Sequence, residues 1–183
     1  YLAALLHEIE ACAEMAREMG LHIRVGYIGG GTPSSLTTPQ LDRLLAHVEK
    51  HFGALAEFTV EAGRPDTLDA QKLRMLRDHP VTRISINPQT MNDATLTRIG
   101  RAHTAKQTVE TYELARSIGF DDINMDVIAA LPGEDYAMFA HTLAEIRRLR
   151  PESLTVHTLA IKRSSRLHEE KYAQAEQDVA RMV

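Results

Sequence analysis

The feature that most constrains the fold of this chain is a regular alternation of short β-type segments with longer helical ones. Each β-type segment is rich in β-branched and aromatic residues, and stretches of helical periodicity separate them. A strand, helix, strand order with right-handed crossovers produces a parallel sheet, either open or curled into a barrel. The five predicted strands cover residues 24–28, 58–62, 81–87, 123–129 and 154–160.

Within each predicted strand, apolar residues alternate with polar ones, so one face of the sheet is polar. In the fourth strand, Met125 and Val127 face away from Asp126. Open parallel sheets are covered on both faces, and their strands read as continuous apolar runs, which these do not. We therefore predict an α/β fold with a curved sheet around a polar, ligand-holding lumen. The residues expected on the concave side are Glu61, Asn87, Asp126 and His157.

The helical stretches between the strands carry recognisable ends. A helix over residues 39–52 starts at a proline, with Thr38 expected to cap it. Thr104 and Gln107 form a capping box for a helix that Gly119 closes. Further helices are predicted from Leu2, around Leu73 and Leu76, and over residues 135–149.

The composition limits the classes of function. No apolar run approaches the roughly 20 residues of a membrane helix, so the expected location is cytoplasmic, with no membrane partner. The net charge of −4 and the lack of a basic cluster argue against nucleic acid as a partner. Cys12 is the only cysteine, which excludes a disulfide framework and any cysteine-only metal site built from this chain alone.

Three consecutive glycines, Gly29, Gly30 and Gly31, end the first predicted strand and precede Thr32 and Pro33. Without Cβ atoms, their backbone can approach a ligand closely and direct N–H and C=O groups at it. The spacing matches neither a Walker loop nor the dinucleotide-binding GxGxxG pattern. A tight strand-to-helix turn without a ligand is the alternative interpretation.

Two carboxylates, Glu61 and Asp126, belong to the predicted polar lumen, where an unpaired charge is costly. One hypothesis is that they hold amino or ribose hydroxyl groups of a ligand. The alternative is that they form structural ion pairs with Arg83 or Arg101.

Other polar residues near the strand ends are weaker candidates. Gln89 can donate and accept at once, whereas structural roles are expected for His103 and His157. Lys162 follows the last strand and is either a Schiff-base lysine or part of a solvated basic end with Arg163. The sequence contains no zinc-ligand spacing, and no catalytic residue is assigned.

Six segments together resemble one family over nearly the whole chain. The resemblance is to the radical S-adenosylmethionine core of oxygen-independent coproporphyrinogen III oxidases, in particular the coproporphyrinogen dehydrogenase branch. The segments are 27–34 (YIGGGTPS), 60–65 (VEAGRP), 83–92 (RISINPQTMN), 100–104 (GRAHT), 123–134 (INMDVIAALPGE) and 154–163 (LTVHTLAIKR).

This resemblance implies a partial (β/α)6 barrel with parallel strands that holds S-adenosylmethionine against a [4Fe-4S] cluster. It implies that residues 1–183 are a core fragment, truncated at both ends, because the family's CxxxCxxC cluster loop is not in this chain. The parent protein is expected to carry those cysteines shortly before Tyr1, while a missing C-terminal region covers the substrate. The cofactor-binding positions it implies are Gly30, Gly31, Thr32, Glu61, Gln89, Arg101, Asp126 and Ala160.

The implied reaction is oxidative decarboxylation of tetrapyrrole propionates to vinyl groups in haem biosynthesis, with a small-molecule tetrapyrrole as substrate. Alone, this chain is expected to be inactive. A haem chaperone built on the same core is the alternative, and a Schiff-base lyase using Lys162 is a third hypothesis.

Overall fold

The computed structural model describes residues 1–160 and 180–182 and contains one sheet of five parallel strands. The strands lie side by side in chain order, and each pairs with the next. This confirms the predicted number, order and direction of the strands. They are β1 (Val25–Ile28), β2 (Glu57–Glu61), β3 (Arg83–Gln89), β4 (Ile123–Ala129) and β5 (Ser153–Thr158).

Helices connect the strands, as the alternating pattern predicts. Short 3-10 turns at Pro33–Ser35 and Pro65–Thr67 follow the first two strands. No helix among the described residues is long and apolar enough to cross a membrane. The α-helices are α1 (Leu2–Glu18), α2 (Thr38–Phe52), α3 (Ala70–Asp78), α4 (Asp93–Arg98), α5 (Ala105–Ile118) and α6 (Tyr136–Leu149).

The sheet is curled, with the helices packed on its convex face. Polar side chains from all five strands surround one cavity, from Tyr27 on β1 to His157 on β5. In a flat sheet those two strands would be about 19 Å apart, too far to enclose one small cavity. On the other face of the sheet, apolar side chains such as Ile84, Met125 and Val127 are fully buried. The predicted partial barrel with a polar lumen is therefore confirmed.

Several boundaries differ from the sequence prediction. The cap of α2 is Thr37, which exchanges capping-box hydrogen bonds with Gln40, and Thr38 is the first helical residue. The correction arises because Pro39 is tolerated anywhere in the first turn, so its position does not fix the cap. The short α4, which ends at Arg98, was not predicted, since six residues hold too few apolar positions to show a period.

The predicted fifth strand is too long at its C-terminal end. β5 stops at Thr158, so Ala160 lies two residues beyond the strand and is exposed. Lys162 and Arg163, named in the Schiff-base and basic-end interpretations, lie outside the described residues.

Candidate functional site

The glycine turn after β1 opens onto empty space. Gly30 has a φ of +111°, which other residues rarely adopt. A Cβ atom at Gly30 or Gly31 would meet no atom within 4 Å, so the backbone faces a void rather than packing against the protein. A tight turn and a ligand-binding turn would both leave this exposed backbone open, so both interpretations stand at this point.

A buried lysine fixes the segment that follows the glycines. The ammonium group of Lys72 on α3 donates to the carbonyl oxygens of Ser34, at 2.5 Å, and Thr67, at 3.1 Å. The hydroxyls of Ser34 and Thr67 also share a hydrogen bond of 2.6 Å. The turns after β1 and β2 are therefore held together, which sets the position of the glycine turn relative to Glu61.

Tyr27 orients the carboxylate of Glu61. Its hydroxyl donates a 2.6 Å hydrogen bond to Oε1 of Glu61 across the β1–β2 pair. Burial, that hydrogen bond and the negative charges of Glu61 and Asp126 raise the pKa of Tyr27, so the phenol stays protonated as a donor. A Cβ atom at Gly29 would lie 2.5 Å from the tyrosine ring and 3.2 Å from Cδ of Glu61. Gly29 thus makes room for this pair, a role that the sequence did not reveal.

Six of the eight predicted site residues line one cavity of about 150 Å³ at the carboxyl ends of β1, β2 and β3. Parallel strands present their carboxyl ends at one edge, so the turns after them converge there. The predicted residues in this cavity are Gly30, Gly31, Thr32, Glu61, Gln89 and Arg101. Pro33, Gly63, Arg64 and Asn87 complete its lining.

Asp126 lies in the adjoining lumen cavity of about 380 Å³, which Glu61 also lines. Its Oδ1 accepts a 2.6 Å hydrogen bond from the amide of Asn124. Nε2 of His157 is 3.9 Å from Oδ2 of Asp126, beyond hydrogen-bond distance. Glu61 is thus shared by both cavities, and it lines the lumen together with Asp126.

The ion pairs considered from the sequence are not formed. Within the described residues, no arginine lies within 4 Å of the carboxylate of Glu61 or Asp126. Arg83 instead pairs with Glu57 at 3.2 Å and Asp122 at 2.9 Å, at the amino ends of the strands. Both lumen carboxylates remain available to a ligand.

Gln89 reaches the cavity because the backbone of β3 is distorted. Its φ is +67°, and the pairing between β3 and β4 shifts register between Ile86 and Gln89. The side chain is buried, with 7% of the residue exposed. The amide N–H of Asn87 donates to the carbonyl oxygen of Gly63 at 3.3 Å, which ties this segment to the turn after β2.

A buried polar network holds the loop that follows Gln89. The hydroxyl of Thr90 and the amide of Asn92 both donate to Oε1 of Glu134. The hydroxyl of Thr142 on α6 accepts from the backbone N–H of Met91 at 3.1 Å. The loops after β3 and β4 are therefore locked together. No local pattern in the sequence predicts these long-range contacts.

Four charged or titratable side chains form a second cluster at the cavity wall. Nε of Arg64 is 3.9 Å from the carboxylate of Asp66, and Nδ1 of His103 is 3.7 Å from the same oxygen. Both nitrogen atoms are buried and have no hydrogen-bond partner. Burial lowers the pKa of His103, and burial with repulsion from Arg64 lowers the pKa of Arg101. The sequence singled out His103 and Arg101 but missed Arg64 and Asp66.

The remaining candidates lie apart from these cavities. Ala160 lines neither of the two, and Cys12 is exposed on α1. No group of three or more metal-ligating side chains exists in residues 1–160 or 180–182.

Known proteins share sequence similarity with most of this chain. Residues 4–146 match the sequence profile of the Radical SAM superfamily. An oxygen-independent coproporphyrinogen-III oxidase-like protein, HemZ of Bacillus subtilis, is 43% identical over 175 residues, covering 94% of this chain and 35% of the relative. The heme chaperone HemW of the same organism is 37% identical over 164 residues, covering 88% of this chain and 42% of the relative.

A solved structure shows the same fold. Coproporphyrinogen III oxidase (HemN) from Escherichia coli superposes with a TM-score of 0.87 and 28% sequence identity. The match covers all of this chain and 43% of that structure. The chain therefore spans less than half the length of these relatives.

Proposed function

Because the chain belongs to the Radical SAM superfamily, whose members bind S-adenosylmethionine and a [4Fe-4S] cluster, we propose that the 150 Å³ cavity and the adjoining lumen hold S-adenosylmethionine. The observation that carries this proposal is the convergence, at one edge of the sheet, of an open glycine turn, an amide, a guanidinium and two carboxylates that have no arginine partner among the described residues.

The residues present fit the polar groups of that cofactor. Gly30 and Gly31 leave room for a ligand against their backbone. Glu61, held by Tyr27, accepts hydrogen bonds from an ammonium group. Asp126 accepts from ribose hydroxyls, and no arginine in residues 1–160 or 180–182 lies within 4 Å of its carboxylate.

Gln89 and Arg101 are the donors that would hold the carboxylate of the cofactor. Gln89 and Arg101 line the same cavity as Glu61, so the ammonium and carboxylate of one amino acid moiety can be held at once. A contact from Ala160 stays a prediction from the family resemblance. When bound, the cluster and cofactor supply one-electron cleavage of a sulfonium, and this chain's own residues bind, orient and exclude water.

We assign the parent protein the activity of an oxygen-independent coproporphyrinogen III oxidase. Each propionate that reacts loses a hydrogen atom to the cleaved cofactor, one electron to an external one-electron acceptor, and CO2, and so becomes a vinyl group. The support is the 43% identity to an oxidase-like relative and the fold shared with coproporphyrinogen III oxidase. With one cysteine, this chain alone lacks the thiolates for the cluster and is inactive.

A haem chaperone is the second candidate, supported by the 37% identity to a protein of that name. The two activities share the cofactor-binding core, so the residues described above serve either one. They differ in what happens to the tetrapyrrole, which is converted by an oxidase and carried unchanged by a chaperone.

The deciding experiment uses the full-length, cluster-loaded protein under anaerobic conditions with a reductant. We expect coproporphyrinogen III to yield protoporphyrinogen IX, measured by chromatography after oxidation, together with 5′-deoxyadenosine. An Asp126→Asn variant should form less of both products, because it binds S-adenosylmethionine more weakly, whereas Arg43→Gln, an exposed change on α2, should keep them. Cleavage of S-adenosylmethionine with unchanged coproporphyrinogen and tight haem binding would establish the chaperone instead.

A further inference from the structure

A chain of hydrogen bonds crosses the concave face of the sheet from β5 to β3. The hydroxyl of Thr155 donates to Oδ1 of Asn124 at 3.2 Å, and Nδ2 of Asn124 donates to the hydroxyl oxygen of Ser85 at 3.0 Å. The hydroxyl of Ser85 then donates to Oδ1 of Asn87 at 2.6 Å. Because Nδ2 of Asn124 also donates to Asp126, this hydrogen-bond chain links Asp126 to Asn87.

The carboxylate of Asp126 fixes the direction of every bond in the chain. A carboxylate only accepts, so the amide nitrogen of Asn124, and not its oxygen, must face Asp126. The second N–H of that amide goes to Ser85, whose single proton goes on to Oδ1 of Asn87. The amide of Asn87 is thereby oriented with its oxygen occupied and its nitrogen, Nδ2, as a donor.

This donor has no acceptor in the protein. In residues 1–160 and 180–182, nothing lies within hydrogen-bond distance of Nδ2 of Asn87. The nitrogen is 3.9 Å from where a Cβ atom would lie on Gly63, and both residues line the 150 Å³ cavity. Asn87 is only 9% exposed, and a largely buried donor is costly unless an acceptor reaches it. A ligand in the cavity can supply that acceptor.

The strand register places this donor beside the acceptor Asp126. The pairing of β3 with β4 shifts between Ile86 and Gln89, so Asn87 and Pro88 together lie opposite Asp126. Neighbouring strands are about 4.8 Å apart, so one small group can contact both side chains. A hydroxyl suits this pair, because it donates its proton to a carboxylate and accepts from an amide. An anionic oxygen is disfavoured there by the charge of Asp126.

We infer that Asn87 is a specificity-determining residue that donates to a ribose hydroxyl of S-adenosylmethionine, next to Asp126. The inference rests on the proposed function and deepens it, since Asp126 alone supplies only an acceptor. Asn124 and Ser85 are positioning residues, because they hold the carboxylate and the amide in complementary orientations. The site therefore distinguishes a ribose from a deoxyribose by a donor and an acceptor together.

The test measures binding of S-adenosylmethionine and its 2′-deoxy and 3′-deoxy analogues by calorimetry, in the full-length, cluster-loaded protein. Asn87→Leu, which keeps the shape of the side chain without the amide, should weaken S-adenosylmethionine about 3- to 10-fold. The analogue that lacks the contacted hydroxyl should bind the variant and the wild-type protein equally. Asn87→Ala, which adds no apolar bulk, should show the same selectivity even if Asn87→Leu does not fold.

A second variant breaks the hydrogen-bond chain and leaves the amide in place. Ser85→Ala removes the hydroxyl that holds Oδ1 of Asn87. S-adenosylmethionine should then bind about two- to threefold more weakly, while the same analogue is again unaffected. The matched control is Ser117→Ala on the exposed surface of α5, which should leave the affinity for all three ligands unchanged.

Three results would overturn the inference while the proposed function stands. Equal losses for all three ligands would mean that Asn87 is purely structural. A loss that disappears only for decarboxylated S-adenosylmethionine would mean that Asn87 contacts the methionyl carboxylate instead. Wild-type affinity for every ligand in both Asn87 variants would mean no contact at all. If the wild-type protein itself does not bind S-adenosylmethionine, the proposed function fails and the inference fails with it.

Discussion

The arginines at the two ends of the curled sheet differ in how closely carboxylates of the protein pair with them. At the amino end, Arg83 lies within 3.2 Å of both Glu57 and Asp122, and Arg116 pairs with Glu152 at 2.6 Å. At the carboxyl end, Arg64 and Arg101 share one distant aspartate.

This difference separates charges that stabilise the fold from charges that serve a ligand. The cations at the amino end have their counter-charges in the protein, and Glu152 also accepts from the backbone N–H of Ile123. The carboxyl end leaves Glu61, Asp126 and Arg64 incompletely paired. Incompletely paired charges at the carboxyl edge of a parallel sheet are typical of a binding site, because a bound ligand supplies the missing partners.

The sharpest test of this contrast compares two glutamates on β2. We expect Glu61→Gln to weaken S-adenosylmethionine binding by about 1.5 to 3 kcal/mol, because the amide offers the ammonium group no charged acceptor. Asp126→Asn should act in the same direction. The comparison variant, Glu57→Gln, changes a carboxylate that lines the amino end of the same lumen but is already paired with Arg83, and it should leave affinity unchanged. Calorimetry on the full-length protein measures all three. Equal affinity in every variant would break the contrast.

The converse change affects stability rather than binding. Arg83→Gln leaves Glu57 and Asp122 without their shared cation and should lower the free energy of unfolding by about 1 kcal/mol, because the pair is partly exposed and screened by salt. Denaturant unfolding in low and high salt measures this loss, which should shrink at high salt. Arg64→Gln, the comparison variant, should alter stability less. A larger stability loss in Arg64→Gln than in Arg83→Gln would reverse our assignment.

The smallest expected effect concerns a third compensated cation, His79, between α2 and α3. Burial opposes its charge, but hydrogen bonds from the ring to Asp42 and Glu49 raise the pKa of His79 above 6.5. Its contribution to stability is therefore complete below pH 6.5 and is lost as the pH rises through the folded-state value. We expect the free energy of unfolding to fall less across that pH range in His79→Asn than in the wild-type protein. The difference should be less than about 1 kcal/mol. Unfolding curves from pH 5.5 to 8.5 check it, and identical pH profiles would contradict it.

The sequence predicted the scaffold well because its signals are local. Alternating polarity marked the strands and the concave face, and Thr104, Gln107 and Gly119 fixed both ends of α5 as observed. Asp135, predicted as the first residue of a helix, is instead its N-cap, accepting from the N–H of Met138. Such one-residue differences arise because cap and first turn share the same residue preferences.

The site was predictable only in part. Position at strand ends indicated Glu61 and Gln89, but the family resemblance, not periodicity, singled out Arg101. The sequence did not indicate roles for Arg64 and Tyr27, because those roles depend on strand register and on partners that are distant in sequence. Arg83 was a candidate partner of the lumen carboxylates until the register placed it beside Glu57.

At Gln89, where the backbone is left-handed, stability and activity favour different residues. A glycine would adopt a φ of +67° without steric cost and so favour the folded chain. It would also delete the amide that lines the cavity. A search for stabilising substitutions would therefore favour glycine here, while selection for ligand binding would keep the strained glutamine.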